Sequence, residues 1–312
     1  MNILIVGSGS IASKHRKNID SLGHNAILLK DLTNGINTDE SSILDIYEKV
    51  LGSYDAVVIA NASNKHFIYS KIALNHKKIL YLEKPPCLSV NELKELIRLS
   101  ENSHNPVAVG FQLRFSKGLN KLKKLIEKER ERIIFFDIHV GQALSQWREN
   151  GINEKSYYAN RSTGGGVLYE LCHEIDIALW MFGSPKSFIS KAENLLHKDM
   201  KIEDFFHSIW KFKNMTGIIH MDMIDPLYKR YAEVIFDNFK YVWNIDNDSL
   251  IKQDQNGSTI IYEDKTFERK DLLNYSMQNF LSWIEKKDVW KGALLEEYVP
   301  LLNFIKSSEN EN

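Results

Sequence analysis

Cysteine is almost missing from this 312-residue chain, which has two, Cys87 and Cys172. Two thiols cannot build a disulfide framework, and no CxxC pair offers a structural metal site. An excess of one charge is missing too. The formal net charge is −1, so nothing draws the whole molecule to nucleic acid or to an anionic lipid surface. The most basic run, KGLNKLKKLIEKERER, has its acids interleaved and reads as a solvated helix face. No window approaches the roughly 20 apolar residues of a membrane span. The opening NILIVG has neither the basic stretch nor the longer apolar core of a secretory signal. The ten histidines fall into no HExxH or comparable ligand spacing, so no metal is expected. No internal repeat or low-complexity segment occurs. These absences exclude a disulfide scaffold, a membrane protein and a nucleic-acid binder. They leave a cytoplasmic, soluble protein of ordinary composition, 43% hydrophobic and 26% charged, long enough for two domains.

What is present is alternation. ILIV (3–6), AILL (26–29), AVVIA (56–60), KILYL (78–82) and VAVGF (107–111) are short apolar runs. Amphipathic stretches separate them: IASKHRKNIDSLG, ESSILDIYEKVLG, HFIYSKIALNHK and VNELKELIRLSEN. Strands alternating with helices predict a parallel sheet with helices on its faces. Runs without period-2 alternation suit strands covered on both sides. After about residue 120 the pattern changes. A helix over 117–130 precedes the strand RIIFFDIHVG, then comes a polar loop rich in aromatics, then GGGVLYELCHEIDIALWMFG. From 186 to 263 the runs FISKAENLL, FFHSIWKFK, TGIIHMDMI, RYAEVIFDN, YVWNIDND and STIIYED alternate, predicting an antiparallel sheet with one wet face. Helices over 269–287 and 293–307 close the chain. The expected class is α/β, a doubly wound parallel sheet over 1–118 followed by a domain with a large, open, mostly antiparallel sheet over 119–312.

Gly7-Ser8-Gly9-Ser10-Ile11-Ala12 fits G-x-G-x-x-[G/A], after a strand and at the start of a helix. Gly7 permits the tight turn, Gly9 lets backbone approach a pyrophosphate, and Ala12 is small enough for the helix to pack on the strand. The free N–H groups of the helix start then face the anion. The motif predicts a bound NAD or NADP. The residue ending the second strand usually chooses between them, an acid holding the ribose hydroxyls and a base accepting a 2′-phosphate. Here Lys30 and Asp31 stand side by side. A one-residue shift of register reverses the answer, and Asp31 as a plain turn residue is a third reading. The balance leans to NAD.

Three further stretches carry chemistry. In YLEKPP (81–86), Glu83-Lys84-Pro85-Pro86 halts regular structure where the C-terminal edge of the sheet is expected. Lys84 there suits a hydrogen bond to a substrate oxygen, or a surface ion pair in a turn. In GGGVLYELCHEIDIALWMFG (164–183), Glu170, His173 and Asp176 stand at i, i+3 and i+6 of an expected helix and so share one face. An imidazole between two carboxylates suits proton transfer near neutral pH; a capped polar helix face or a satisfied core histidine is the other reading. The loop 141–166 holds Trp147, Arg148, Tyr157, Tyr158, Asn160 and Arg161. Aromatics beside arginines suit a sugar or anionic substrate and equally a subunit interface.

Taken in order, GSGSIASKH, IANASNKH with LYLEKP, VAVGFQLRF and GGGVLYELCHEIDIALWMFG resemble the glucose–fructose oxidoreductase / inositol dehydrogenase / MocA family over nearly the whole chain. The resemblance implies a Rossmann domain followed by an α/β domain whose sheet joins subunits into dimers or tetramers. It implies hydride transfer between NAD(P) and a secondary alcohol or ketone of a sugar. The family's lysine maps onto Lys84, its acid/base histidine onto His173 and the following aspartate onto Asp176. The family's other common aspartate, four residues before the histidine, is replaced by Tyr169, and Glu170 is the nearest acid. Ala62 stands where a proline is common. His173 would handle the proton, Lys84 would polarise the same oxygen, and Glu170 or Asp176 would orient the imidazole or bind a neighbouring hydroxyl. Asn61, Ala62, His66 and Glu83 are placed near the cofactor. Arg114 is placed at the nicotinamide edge or substrate, or in a structural pair, with Trp147, Arg148, Tyr157 and Asn160 on the substrate. The segment 147–183 also resembles a subgroup from bacterial surface-glycan gene clusters, implying a nucleotide-linked or sialic-acid-like sugar. Two alternatives remain: an enzyme using NAD transiently in elimination, epimerisation or glycoside cleavage, and a non-catalytic NAD(P) sensor or assembly protein.

Overall fold

The computed structural model describes residues 1–32, 39–147 and 156–310. The chain forms two units, Met1–Gln112 with Leu273–Val299, and Leu113–Leu272 with Pro300–Asn312. Its elements are β1 (Asn2–Val6), α1 (Ser10–Ser21), β2 (Asn25–Leu28), α2 (Leu29–Leu32), α3 (Glu40–Val50), β3 (Ala56–Ile59), α4 (His66–Asn75), β4 (Ile79–Leu82), α5 (Val90–Ser103) and β5 (Val107–Val109). Then follow α6 (Lys117–Lys128), β6 (Phe135–Gly141), α7 (Val167–Glu170), α8 (His173–Phe182), β7 (Ser187–Glu193), β8 (Phe205–Lys211), β9 (Thr216–Asp222) and β10 (Lys229–Ile235). The last are β11 (Phe239–Asn244), β12 (Ser249–Asp254), β13 (Gly257–Tyr262), α9 (Arg269–Ile284), β14 (Ala293–Leu294) and α10 (Tyr298–Asn310).

In the first unit the sheet runs β14-β5-β4-β3-β1-β2, parallel throughout except for β14. Every residue of β3 and β5 is buried, which is why these runs show no alternation in sequence. Ile3, Ile5, Ala56, Val58, Tyr81 and Ala108 pack with Ala12 and Ile19 of α1 and with Met277, Phe280 and Leu281. That last trio explains why 273–299, expected in the second domain, joins the first: the sheet face beside α1 needs an apolar cover, and α9 supplies it. α5 starts where Ser89 and Glu92 cap each other, Ser89 Oγ accepting from the Glu92 N–H while the Glu92 carboxylate accepts from the Ser89 N–H.

In the second unit the eight-stranded sheet runs β13-β12-β11-β10-β6-β9-β8-β7. Each neighbouring pair is antiparallel except β6 with β9. One face is covered, as at Phe136, Ile138 and Val140 of β6. β12 was not expected, because SLIKQD is mostly polar. It is a strand because β11 and β13 hydrogen-bond it from both sides. The expected helix over 293–307 starts later, since Ala293 and Leu294 extend the first unit's sheet before α10 begins. No helix among the described residues is long and apolar enough to cross a membrane.

Candidate active site

Gly7 closes β1 at φ +148, and a Cβ there would lie 2.4 Å from the Ala60 carbonyl oxygen and 3.1 Å from the Ala12 Cβ. The turn therefore needs both a bare Gly7 and a small residue 12. Gly9 is different. It is the N-cap of α1 at φ −82, with no side chain capping the helix start. A Cβ at Gly9 would meet nothing within 4 Å, so nothing in the chain itself demands glycine there. Ser8, Gly9 and Ser10 are exposed, Ile11 is half-buried and Ala12 is buried. The first turn of α1 carries no acidic residue. Uncapped N–H groups, the dipole's positive end and an open cradle over Gly9 fit a dinucleotide pyrophosphate. Asn61, just after β3, adds a buried Oδ1 without a hydrogen-bond partner.

This separates the two glycines experimentally. Gly7→Ala is expected to destabilise the protein by about 1–3 kcal/mol or more, from backbone strain plus the Ala60 contact. Gly9→Val is expected to keep the melting temperature and to lose NADH affinity. Thermal melts and fluorescence titration of both variants check it. Equal loss of stability in both would make Gly9 a structural residue.

Lys30 and Asp31 do not end β2; they lie exposed in α2, which follows the strand directly. Asp31 Oδ2 accepts a 2.9 Å hydrogen bond from Arg16 Nη1 of α1. Glu83 is buried directly after β4, and Lys84 beside it is half-buried. His66 opens α4 with Nδ1 2.8 Å from the Pro85 carbonyl and Nε2 3.1 Å from the Asn61 carbonyl. Its ring nitrogens thus face the chain's own backbone, tying the turn after β3 to the turn after β4. Burial lowers its pKa, against the raising pull of those carbonyls. The geometry makes His66 a clamp between two turns at the start of α4. Ala62 is half-buried in the first of them.

In the second unit, α7 ends at Glu170 and α8 begins at His173, with Leu171 and Cys172 between them. The single helix face expected for Glu170, His173 and Asp176 is therefore broken after Glu170. Asp176 is held by Arg114: Nε donates to Oδ2 at 3.0 Å and Nη2 to Oδ1 at 2.7 Å. These side chains are 4% and 3% exposed. Of the two readings of Arg114, the structural pair is the one observed, and it engages both carboxylate oxygens of Asp176. A second pair, missed in the sequence, lies one residue after His173. Arg230 Nε stands 2.8 Å from Glu174 Oε1, and Glu174 is fully buried. The first turn of α8 is thus pinned by two arginines, from β10 and from the turn at 112–115, and buried His173 stands in that turn. The glycine run leading to it is required by crowding: a Cβ at Gly166, φ +94, would lie 2.6 Å from the Glu203 carboxylate. Burial raises the pKa of Glu203, opposed by nearby Arg161.

Tyr169 is buried and looks to α10. Lys306 Nζ donates to its hydroxyl at 2.8 Å, and the hydroxyl donates to Glu309 Oε1 at 2.9 Å. Burial and Glu309 raise its pKa. Asn160 caps the turn at 161–163, its Oδ1 accepting from the Ser162 N–H at 3.0 Å. Its side-chain oxygen serves the loop itself. Trp147 is half-buried and Tyr157 is 39% exposed. Arg148 lies outside the described residues.

The open face of the second sheet carries His139, His220 and Asp222 close enough to suggest an ion site. The rings of His139 and His220 stack, with centroids 4.5 Å apart and planes 9° apart. Lone pairs lie in the ring planes, so parallel stacked rings do not converge on one ion. Asp222 already accepts from His220 Nε2 at 2.8 Å and from the Ile224 and Asp225 N–H groups. Burial first and His220 second push His139 down to about 4.

The family model for an oxidoreductase NAD-binding Rossmann fold matches residues 1–111, and that for a GFO/IDH/MocA C-terminal domain matches 119–241. The chain is 26% identical over 176 residues to the uncharacterized oxidoreductase YdgJ of Escherichia coli (strain K12), covering 54% of this chain and 48% of that protein. It spans about half the length of the curated relatives it matches. Among solved structures it is similar to an inositol dehydrogenase homolog complexed with NAD+ from Azotobacter vinelandii, at TM-score 0.80 and 13% identity, covering 99% of this chain and 95% of that one. It is similar also to the UDP-N-acetylglucosamine 3-dehydrogenase GnnA from Acidithiobacillus ferrooxidans, at TM-score 0.77 and 13% identity, covering 100% and 97%. At such identities the likeness is one of fold.

Proposed function

The chain belongs to the GFO/IDH/MocA oxidoreductase family, with an NAD-binding Rossmann fold over residues 1–111, and from that premise we propose that it exchanges a hydride between nicotinamide and a secondary alcohol or ketone of a sugar. The observation that carries this reading is the open, uncapped start of α1 at Gly9. The nicotinamide, when bound, supplies the hydride chemistry. The chain supplies orientation and proton handling. His173 takes the hydroxyl proton on oxidation and gives one back on reduction, and Lys84 hydrogen-bonds a substrate oxygen. Glu170, or Asp176 in its pair with Arg114, orients the imidazole or binds a neighbouring hydroxyl. The finer substrate reading is a nucleotide-linked or sialic-acid-like sugar of surface-glycan synthesis, handled in the cytoplasm. The aromatic and basic loop 141–166 suits it. The enzyme works as a homodimer or homotetramer through the open face of the second sheet. Ile189 is 75% exposed there and Ile209 38%, and a second copy would cover both.

Asp31 selects NAD over NADP. Losing it removes an acceptor for the ribose hydroxyls and releases Arg16, a cation suited to a 2′-phosphate; both changes act in the same direction. Fluorescence titration with NADH and NADPH, followed by a screen of hydroxy- and keto-sugars at the nicotinamide absorbance, tests the whole reading. Wild type is expected to favour NADH. Asp31→Ala is expected to shift the ratio towards NADPH by about tenfold, the size of one charge-assisted hydrogen bond. An unchanged ratio removes Asp31 from the ribose. Absence of binding by either cofactor removes the proposed function.

A further inference from the structure

On α1, Ala12, His15 and Ile19 are the buried residues, at i, i+3 and i+7. They are the stripe that packs the phosphate-binding helix onto the sheet. Two of the three are apolar; the middle one is an imidazole with no exposed surface at all. A buried polar ring on an apolar stripe needs a partner, since an unmade hydrogen bond there costs about 1–3 kcal/mol. The partner is Glu83. His15 Nε2 lies 2.7 Å from Glu83 Oε1, across 68 residues of sequence. A carboxylate only accepts, so Nε2 carries the proton and donates. His15 Nδ1 is buried with no hydrogen-bond partner, so the ring's one hydrogen bond is the one to Glu83.

Glu83 is held from every side. Its other oxygen, Oε2, accepts from the Lys84 N–H at 3.3 Å. A Cβ at Gly110 would come within 3.0 Å of its carboxylate, so the end of β5 leaves room for Glu83 and for nothing larger. Its own N–H donates to the Ile59 carbonyl at 2.9 Å. The His15 and Tyr81 rings meet edge to face, with centroids 5.2 Å apart. Tyr81 is in turn fixed by a 2.9 Å hydrogen bond between its hydroxyl and Ser276. The carboxylate therefore joins two things: the helix whose N-terminus forms the cradle, and the backbone from which the Lys84 side chain departs.

We propose that His15 is a positioning residue for Lys84, acting through Glu83: its hydrogen bond orients the carboxylate whose second oxygen holds the Lys84 N–H, and so sets the direction in which the lysine leaves the chain. The inference rests on the catalytic role proposed above for Lys84 and adds the device that aims it. A displacement of about 1 Å in a reacting group can cost 10²-fold in rate, which makes so indirect a contact count. The motif GSGSIASKH then does two jobs. Its second glycine serves the cofactor, and its last residue serves the lysine.

Two variants test it. His15→Leu keeps an apolar side chain of similar size and removes the donor. His15→Gln carries an amide N–H that can reach the position of Nε2. His15→Leu is expected to lower kcat by about 10–100-fold while leaving the NADH dissociation constant within about threefold of wild type. His15→Gln is expected to recover most of the loss. A wild-type kcat in His15→Leu overturns the proposal. So does equal impairment of both variants with equally lowered melting temperatures, which is what a purely structural histidine would give. A second readout needs no turnover. Hydrogen exchange at the Lys84 amide is expected to quicken in His15→Leu and to return in His15→Gln; unchanged exchange in His15→Leu also overturns the proposal. Should wild type bind no nicotinamide cofactor, the proposed function fails, and the exchange measurement still decides for or against the His15–Glu83–Lys84 chain.

Discussion

His173→Ala and Lys84→Ala are each expected to lower kcat by about 10²–10⁴-fold, the contribution of a positioned acid–base group. The NADH dissociation constant should barely change in His173→Ala, because the role proposed for His173 is on the substrate's proton and not on the cofactor. The structural argument for His173 is the rigidity of its surroundings. The next residue, Glu174, is locked to Arg230, and Asp176, one turn on, is locked to Arg114. Such a backbone holds a side chain to the tolerance that proton transfer needs. If the proposed roles of Lys84 and His173 on one substrate oxygen hold, the double variant should be little worse than the poorer single one. Steady-state rates with the best sugar from the screen, alongside NADH titrations, make the measurement. Near wild-type rates in both single variants would sink the assignment and favour a protein that binds NAD(P) without turning it over.

The second large effect concerns stability. Arg114→Met removes two charge-assisted hydrogen bonds from a carboxylate that is 3% exposed. Breaking a buried pair from one side costs about 3–5 kcal/mol, enough to exhaust a good part of a typical domain's stability. Replacing both partners, in Arg114→Met with Asp176→Leu, should recover most of it, because the double variant leaves neither partner buried without the other. The sign with pH follows. Stripped of its arginine, Asp176 holds its proton more tightly in the folded than in the unfolded chain, so folding takes up protons. The single variant therefore regains stability as pH falls from 7 towards 5, and its gap to wild type narrows. Urea unfolding of the three proteins at both pH values checks this. A single variant within 1 kcal/mol of wild type at pH 7 would show that the pair is not what holds α8.

The fold was legible where neighbours in sequence suffice. Five short apolar runs between amphipathic helices announced the parallel sheet, and each recurs as a strand within about two residues at either end. Gly7 could be read as a turn because its need is local: the Cβ it lacks would strike Ala60. The helix after GGG was read as one piece because its periodicity is continuous. The structure interrupts it at Leu171–Cys172, leaving Glu170 and His173 on separate elements. β12 escaped notice because its pairing partners, not its own residues, make it a strand.

The candidate site shows the same division. Lys84 and His173 were singled out by motif, and the open cradle was implied by the glycines. Their supports were not found. His15 meets Glu83 across 68 residues, and Arg114 meets Asp176 across 62. One sequence signal for His15 existed, a histidine on the apolar stripe of α1, and it named no partner. By itself the sequence determined which segments become strands and helices, where the chain must turn and which residue types are present to bind and to move protons. Those properties depend on backbone sterics and on side chains a few positions apart. Tertiary structure decided which acid each base meets, that 273–299 covers the first sheet and that Asp176 belongs to an arginine. Such pairings are set by burial, where a charged or polar group must find a partner wherever the fold supplies one.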